Sequence, residues 1–163
     1  MTREAQKFAK LDKVYVAKIR LGATSATGDP EGEIRENAIQ EIPLQNAIKK
    51  LIQEKFTGEI SQTPPIYSAI KIGGERAYKL ARNGKTPEIP SRKVTIYNIE
   101  ILHYQWPMLE IRTRVSSGTY IRSLAEDIGR ELGVGAYCAE LRREKIGEYD
   151  VVNAETLDEF IAE

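Results

Sequence analysis

The side chains that could do chemistry in this chain are few, and they exclude several kinds of site. The 163 residues contain one histidine, His103, and one cysteine, Cys138. A Cys/His zinc site and an internal disulfide are therefore excluded, and no nucleophilic triad can be built around one distant histidine. The sequence also has no phosphate-binding P-loop and no dinucleotide-binding glycine pattern. We expect His103 to lie on a strand surface and Cys138 to be buried and inert.

Charge is unevenly distributed along the chain, although the formal net charge is zero. Residues 66–93 contain seven Lys and Arg residues against two Glu, whereas residues 144–163 contain seven acidic residues against one Lys. A basic middle can follow a phosphate backbone while an acidic tail stays clear of it. Charge runs are also typical of solvated surfaces, so this pattern alone gives only a hint of nucleic acid.

Four tracts carry a more specific signal when they are read together. They are the strand and loop from Tyr15 to Gly32, PPIYSAIKIGGERAYKLARNG (64–84), VSSGTYIRSLAEDIGRELGVGAY (115–137) and LRREKIGEY (141–149). Their order and spacing resemble the TruB family of pseudouridine synthases, whose members isomerise the T-arm uridine of tRNA (position 55). The strongest patterns are P-x-x-[YF]-S-A-x-K-x-x-G-x-x-x-Y and S-x-G-T-Y-I-R-x-L, and neither is a common chance pattern.

The resemblance implies roles for three residues near the reacting base. Tyr15 matches the active-site tyrosine, which stacks on the target uracil and is a candidate base, because a flipped base needs a new aromatic face. Arg122 matches the arginine that pairs with the catalytic carboxylate, a role that suits its permanent charge and bidentate fork. Tyr120 matches a pocket residue near the base. Without the resemblance, Tyr15 would be interpreted as an ordinary strand aromatic, Tyr120 as a packing residue and Arg122 as solvated.

Other matched positions are implied to contact the RNA substrate or to line its pocket. Asp29 matches a loop aspartate that faces RNA, although capping a turn at Pro30 would explain it equally well. Leu141 matches an apolar pocket wall, although most leucines are simply core residues. The remaining matches lie in the 64–84 tract and are Tyr67, Lys71, Gly73 and Tyr78. In this tract, glycine beside basic side chains allows close approach to phosphates.

One family motif has no counterpart in these residues. The family's catalytic aspartate lies in a G-x-L-D-P-x-A-x-G tract upstream of an A-T-[KR] element, and Thr2-Arg3 match the end of that element. Asp29-Pro30 lies after Tyr15 and no A-x-G follows it. We therefore expect the catalytic domain to be incomplete at its N-terminus, and this chain alone to be inactive.

The resemblance as a whole implies a cytoplasmic tRNA pseudouridine synthase that acts by base flipping and glycosidic-bond cleavage. It implies no cofactor and no metal, and its partner would be the T-arm stem-loop of tRNA, with no membrane contact. Apart from RNA and a possible N-terminal partner polypeptide, the chain is expected to be a monomer. Two alternatives stay open: a catalytically inactive RNA-binding module that keeps the pocket, and a split enzyme completed in trans by an N-terminal polypeptide carrying the catalytic aspartate.

Local patterns predict the elements that position these residues. Residues 13–22, 92–104 and 109–115 are typical of strands, the last two joined by a turn at Trp106-Pro107, and residues 23–33 are typical of a loop. Helical spacing of apolar residues predicts helices over 44–56 and over 121–132, the second ended by Gly133. Short helices are expected over 75–83 and from Thr156, and residues 137–146 could be helix or strand. The fold class is therefore α+β with a mainly antiparallel, mixed sheet flanked by helices. We expect a partial catalytic domain over 1–155 and the start of a helical region over 156–163.

Overall fold

The computed structural model of the protein describes residues 7–68, 70–72, 75–77 and 88–155. Gly73, Tyr78 and the helix expected from Thr156 lie outside these ranges. The helix expected over 75–83 is wrong at its start, because Glu75–Arg76 forms a short strand that pairs with Lys71–Ile72. Of the remaining residues of that predicted helix, the structure describes only Ala77.

A six-stranded antiparallel sheet forms the body of the molecule. From one edge to the other, its strands are Tyr149–Asp150, Ala136–Ile146, Lys13–Leu21, Met108–Val115, Arg92–Gln105 and Gly58–Gln62, and each neighbouring pair is antiparallel. In chain order the sheet strands are β1 (Lys13–Leu21), β4 (Gly58–Gln62), β7 (Arg92–Gln105), β8 (Met108–Val115), β9 (Ala136–Ile146) and β10 (Tyr149–Asp150). Two small ribbons, β2 (Ala23–Ser25) with β3 (Ile34–Glu36) and β5 (Lys71–Ile72) with β6 (Glu75–Arg76), lie outside it.

Two helices cover one face of this sheet. They are α1 (Gln45–Lys55) and α2 (Ile121–Glu131). Alternate residues of β1 and β8 point toward them, since side chains alternate between faces along a strand. The fully or nearly fully buried members of this core are Ala17, Ile19, Leu21, Leu109, Ile111 and Val115 from the sheet, with Ile48, Ile52, Ile121, Leu124, Ala125 and Ile128 from the helices.

The structure confirms most of the predicted elements, decides one that was left open and corrects details of two others. The segment 137–146, which the pattern left undecided, is strand, because β9 pairs with β1 along its length. The predicted loop after β1 contains the strand Ala23–Ser25, which pairs with Ile34–Glu36 beyond the turn. Helix α1 buries a narrower face than its apolar spacing predicts, since the side chain of Leu44, which precedes it, is 73% exposed.

The end of α2 agrees with the sequence. Gly133 has a φ of +73°, a left-handed conformation that glycine adopts without the steric cost that a Cβ brings. Cys138 is buried and His103 is exposed on β7, as expected. Within the described ranges, no helix is long and apolar enough to cross a membrane.

Candidate functional site

The side chain of Arg122 joins three parts of the chain at the start of α2. Its Nη1 donates to Asp29 Oδ2 at 2.6 Å and to the carbonyl oxygen of Thr27 at 3.2 Å. Its Nη2 donates to the carbonyl oxygen of Tyr67 at 3.0 Å. The side chains of Arg122 and Asp29 are 25% and 23% exposed, so the pair is largely shielded from water. The guanidinium thus fixes the loop after β2 and the segment after β4 against the helix.

Asp29 is held by its own turn as well as by Arg122. Its Oδ1 accepts a hydrogen bond from Thr27 Oγ1 at 2.5 Å and another from the backbone N–H of Glu31 at 3.1 Å. The turn-capping interpretation of Asp29 is therefore confirmed. Burial alone would raise the pKa of this carboxyl, but the hydrogen bonds from Thr27, Arg122 and Glu31 outweigh it, and the pKa is lowered. Asp29 is accordingly an anion at neutral pH.

The backbone at the start of α2 is clamped by a buried glutamine. The side chain of Gln62, at the end of β4, is fully buried and bonds both backbone groups of Tyr120. Its Nε2 donates to the Tyr120 carbonyl at 3.0 Å, and its Oε1 accepts from the Tyr120 N–H at 2.8 Å. Ser123 Oγ adds a bond to the Thr63 carbonyl at 2.9 Å. The edge strand β4 therefore positions the residues that precede and open α2.

The ring of Tyr120 lies under a cation. The Arg92 guanidinium is 5.0 Å from the centroid of the Tyr120 ring and also donates to the carbonyl oxygen of Gly118. Sequence reasoning missed both Gln62 and Arg92. Arg92 is part of the basic stretch 66–93, and that pattern indicated only that the residue carries a positive charge. Gln62 gave no signal, because a glutamine is normally exposed.

Tyr15 and Leu141 lie on the same face of the sheet as the helices. Tyr15 pairs in register with Thr113 of β8 and Arg143 of β9, and it packs partly buried against the core. Leu141 pairs with Ala17, two residues from Tyr15, and is 47% exposed. Residues that pair across antiparallel strands point to one face, so Tyr15 and Leu141 are neighbours on it. Here the sheet surface is partly open to solvent.

Cys138 links this open surface to the Arg122 cluster. It pairs with Ile19 in register, and its backbone N–H donates to the carbonyl of Gly28 at 3.0 Å, next to Asp29. Its pKa is raised to about 11, mainly by burial, with smaller opposing effects of the Arg122 and Asp29 charges. The bond from Cys138 thus joins β9 to the loop that carries Asp29, while Leu141 and Tyr15 lie farther along β9 and β1.

A second group of acids lies behind Arg122. Glu126 and Asp127 line a cavity of about 250 Å³ together with Pro64, Ile66 and Tyr67. Burial raises the pKa of both carboxyls; for Glu126 the Asp127 charge adds to the rise, and for Asp127 the Arg130 hydrogen bond opposes it. Sequence reasoning missed Glu126 because its only signal was a polar position on an amphipathic helix.

The remaining predicted substrate residues are less well defined. Tyr67 is 39% exposed, and its contact with Arg122 is through its backbone carbonyl. For Lys71 the structure describes the backbone, which pairs with Arg76 in the ribbon of β5 and β6. Gly73 and Tyr78 lie outside the described residues. In the part of the chain that the structure describes, no group of three His, Cys, Asp or Glu side chains could hold a metal ion.

Solved structures with the same architecture define the fold as that of a pseudouridine synthase. A crystal structure of a Cbf5-Nop10-Gar1 complex matches 92% of this chain and 35% of the matched chain, with a TM-score of 0.65 and 32% identity. An archaeal box H/ACA sRNP Nop10-Cbf5 complex matches 92% and 33%, with a TM-score of 0.60 and 29% identity. The α+β class expected from the sequence is confirmed.

Sequence comparisons identify the family within this class. Residues 1–121 match the TruB family pseudouridylate synthase N-terminal domain, and residues 122–163 match the tRNA pseudouridylate synthase B C-terminal domain. The protein belongs to the TruB family of pseudouridine synthases.

Named relatives agree with this assignment. A tRNA pseudouridine synthase B of Francisella tularensis subsp. holarctica is 43% identical over 159 residues, covering 98% of this chain and 53% of the relative. The same enzyme of Cupriavidus metallidurans is 43% identical over 164 residues, covering 99% and 52%. The chain therefore spans about half the length of these relatives.

Proposed function

We propose that this chain forms the uridine-binding pocket of a tRNA pseudouridine synthase that acts on the T-arm uridine (position 55). The observation that carries the proposal is the shielded ion pair of Arg122 with Asp29, at the start of the helix that packs on the same sheet face as Tyr15. A permanent cation in the first turn of a helix favours nearby carboxylates. The chemistry needs a carboxylate at C1′ of the ribose, next to an aromatic surface for the extruded base.

The proposed reaction is an isomerisation within one nucleotide. The N1–C1′ bond of uridine breaks, a C5–C1′ bond forms, and the proton lost from C5 is balanced by one gained at N1. Tyr15 stacks on the extruded uracil, and its hydroxyl is the candidate proton acceptor. Leu141 forms the apolar wall beside it, and Tyr120, held by Gln62 and Arg92, borders the base.

Arg122 serves in this proposal to keep the nucleophilic aspartate ionised. Its Nε–H has no acceptor among the described residues, so the guanidinium keeps a donor for a second carboxylate besides Asp29. These 163 residues contain no G-x-L-D-P-x-A-x-G tract. We therefore assign the nucleophile to a segment outside them, whether of the same polypeptide or of a partner.

A second candidate function is an RNA-binding module without catalysis. It is favoured by the three hydrogen bonds that the Arg122 Nη groups make to Asp29 and two carbonyl oxygens, which give the cluster a structural role by themselves. Such a module would bind a T-arm stem-loop and leave its uridine unchanged.

The two functions are separated by release of tritium from a T-arm stem-loop labelled at C5 of the target uridine. We expect no release by this chain alone, and release when a segment of the Francisella relative carrying the L-D-P tract is fused to it or added. Arg122→Met should then lower the rate by at least about 100-fold, since each ~1.4 kcal/mol of lost transition-state stabilisation costs tenfold. Arg142→Met, an exposed arginine on the opposite sheet face, is the matched control and should leave the rate unchanged.

Two results would contradict this account in different ways. Turnover by the chain alone would mean that a carboxylate within it attacks C1′, and Asp29→Asn would identify whether it is Asp29. No turnover in the complemented protein, with T-arm binding intact, would leave only the RNA-binding module.

A further inference from the structure

Two consecutive arginines of β9 lie on opposite faces of the sheet. Arg143 pairs in register with Tyr15, so its side chain belongs to the face that carries Tyr15 and Leu141. Arg142 pairs with Val16 and lines a cavity with Val14 and Arg112 on the other face. A bulge after Val14 sets this register. Both arginines are exposed.

Arg143 has no counter-charge among the described residues. The nearest acids along β9 and β10 are already engaged, since Glu144 binds Arg112 at 3.0 Å and Asp150 binds Lys145 at 2.7 Å. Its partner in register on the neighbouring strand is Tyr15, which is not an acidic residue. The guanidinium fork is therefore free to bind an anion from solution.

A second cation near Tyr15, Lys13, is committed to the protein. The Lys13 ammonium donates to the carbonyl oxygens of Ala9 at 2.7 Å and Leu11 at 2.6 Å, where it closes the turn before β1. The pKa of Lys13 is lowered by burial and then by the charge of Arg143, which places the two cations near each other. Among the described residues, Lys13 and Arg143 thus place positive charge at the Tyr15 end of β1, and Arg143 is the one whose side-chain donors bind no protein group.

The opposite sheet face is built differently. Apart from Arg142, its described cations are neutralised in pairs, Arg114 with Asp12 at 3.0 Å and Lys18 with Glu140 at 2.7 Å, in addition to the pairs of Arg112 and Lys145. A polyanion gains little from cations that already have partners. Charge and register therefore both favour the Tyr15 face as the one that contacts a phosphate backbone.

We propose that Arg143 forms a phosphodiester-binding subsite for the nucleotide that stacks on Tyr15, and this proposal rests on the function proposed above. An arginine fork binds phosphate oxygens bidentately, and such contacts fix the position of a nucleic acid without reading its sequence. With the base on Tyr15 and a backbone phosphate on the neighbouring strand, one nucleotide would be held at both ends. Arg143 is thereby a positioning residue for the substrate.

The test compares the two neighbouring arginines in binding of a T-arm stem-loop, measured by fluorescence anisotropy over a series of salt concentrations. Arg143→Gln should weaken binding about tenfold at low salt. It should also reduce the slope of log K against log salt by about 0.7–0.9, the value for one lost phosphate contact. Arg142→Gln should leave both quantities unchanged, and Arg143→Lys, which keeps the charge, should restore most of the slope.

A second arm removes the charge from the RNA and leaves the protein intact. Replacing the phosphates that flank the target uridine by neutral methylphosphonates should weaken wild-type binding and leave Arg143→Gln binding unaffected. If wild-type binding is insensitive to this replacement, or if both arginine variants behave alike, the subsite is wrong while the pocket proposal stands. If the wild-type chain binds the T-arm stem-loop no more tightly than unstructured RNA of equal length, the proposed function and the subsite both fall.

Discussion

At the scale of single residues, one arginine organises the candidate site. The sequence pointed to Arg122 as the residue that holds a carboxylate, and the structure pairs it with Asp29, 93 residues earlier in the chain. That partner could not be predicted from the sequence, because Asp29 has a complete local explanation in the turn that it caps. Only the folded loop brings a capped aspartate within reach of the helix.

The ion pair should contribute measurably to stability. Asp29→Asn keeps an oxygen for Thr27 and Glu31 but removes the charge that faces Arg122, so we expect a loss of about 1–2 kcal/mol of unfolding free energy at neutral pH. The pKa of Asp29 is lowered by folding, so this contribution is present above the unfolded pKa and is lost as the pH falls through the folded pKa. Urea unfolding at neutral and acid pH measures both effects.

Asp127→Asn is the matched control for that experiment. Burial raises the pKa of Asp127, so its ionised form costs stability as the pH rises above the unfolded pKa. The asparagine should therefore be neutral or stabilising at neutral pH. A loss in Asp127→Asn as large as that in Asp29→Asn would mean that the Arg122 pair has no special role.

At the scale of elements, periodic segments were predictable and contacts between them were not. Apolar spacing predicted α2, and β-branched runs predicted β1, β7 and β8, since these patterns reflect burial on one face. The sequence of β9 lacks such a pattern. Its first residues are buried in the core, whereas its second half lies outside the core and consists mainly of charged residues. The Gln62 clamp on Tyr120 joins residues 58 apart and exists only because β4 pairs at the sheet edge.

The clamp gives an element-scale prediction. Gln62→Leu preserves much of the volume but leaves the N–H of Tyr120 without its partner, at a cost of about 1–3 kcal/mol, while the Tyr120 carbonyl keeps the hydrogen bond from Leu124 N–H at 3.1 Å. We expect a lower urea midpoint and faster hydrogen exchange at the Tyr120 amide. Gln105→Leu, an exposed glutamine at the end of β7, should change neither quantity. Equal behaviour of the two variants would show that β4 does not hold the start of α2.

At the scale of the whole molecule, the sheet divides the chain into two faces with different tasks. One face carries the helices, the core, Tyr15 and the cluster around Arg122, while the other carries paired surface charges. The sequence resemblance predicted the family and the fold class, which the comparisons confirm, whereas the roles that it implies for single side chains stay predictions. It could not predict which arginine of the LRR triplet faces Tyr15, because a bulge sets that register.

The central claim is that the open face around Tyr15 receives the extruded uridine, and Tyr15→Leu tests it most directly. In the complemented protein, tritium release from the C5-labelled T-arm stem-loop should fall by at least about 100-fold in Tyr15→Leu, which loses both the stacking face and the hydroxyl. Tyr15→Phe separates these parts, since a nearly inactive Phe variant indicates that the hydroxyl is the base, and a more active one indicates stacking. Tyr97→Leu, an exposed tyrosine near Asp12 and Arg114, is the control and should retain the wild-type rate. A Tyr15→Leu rate within about twofold of that control would contradict the assignment of this face as the uridine pocket.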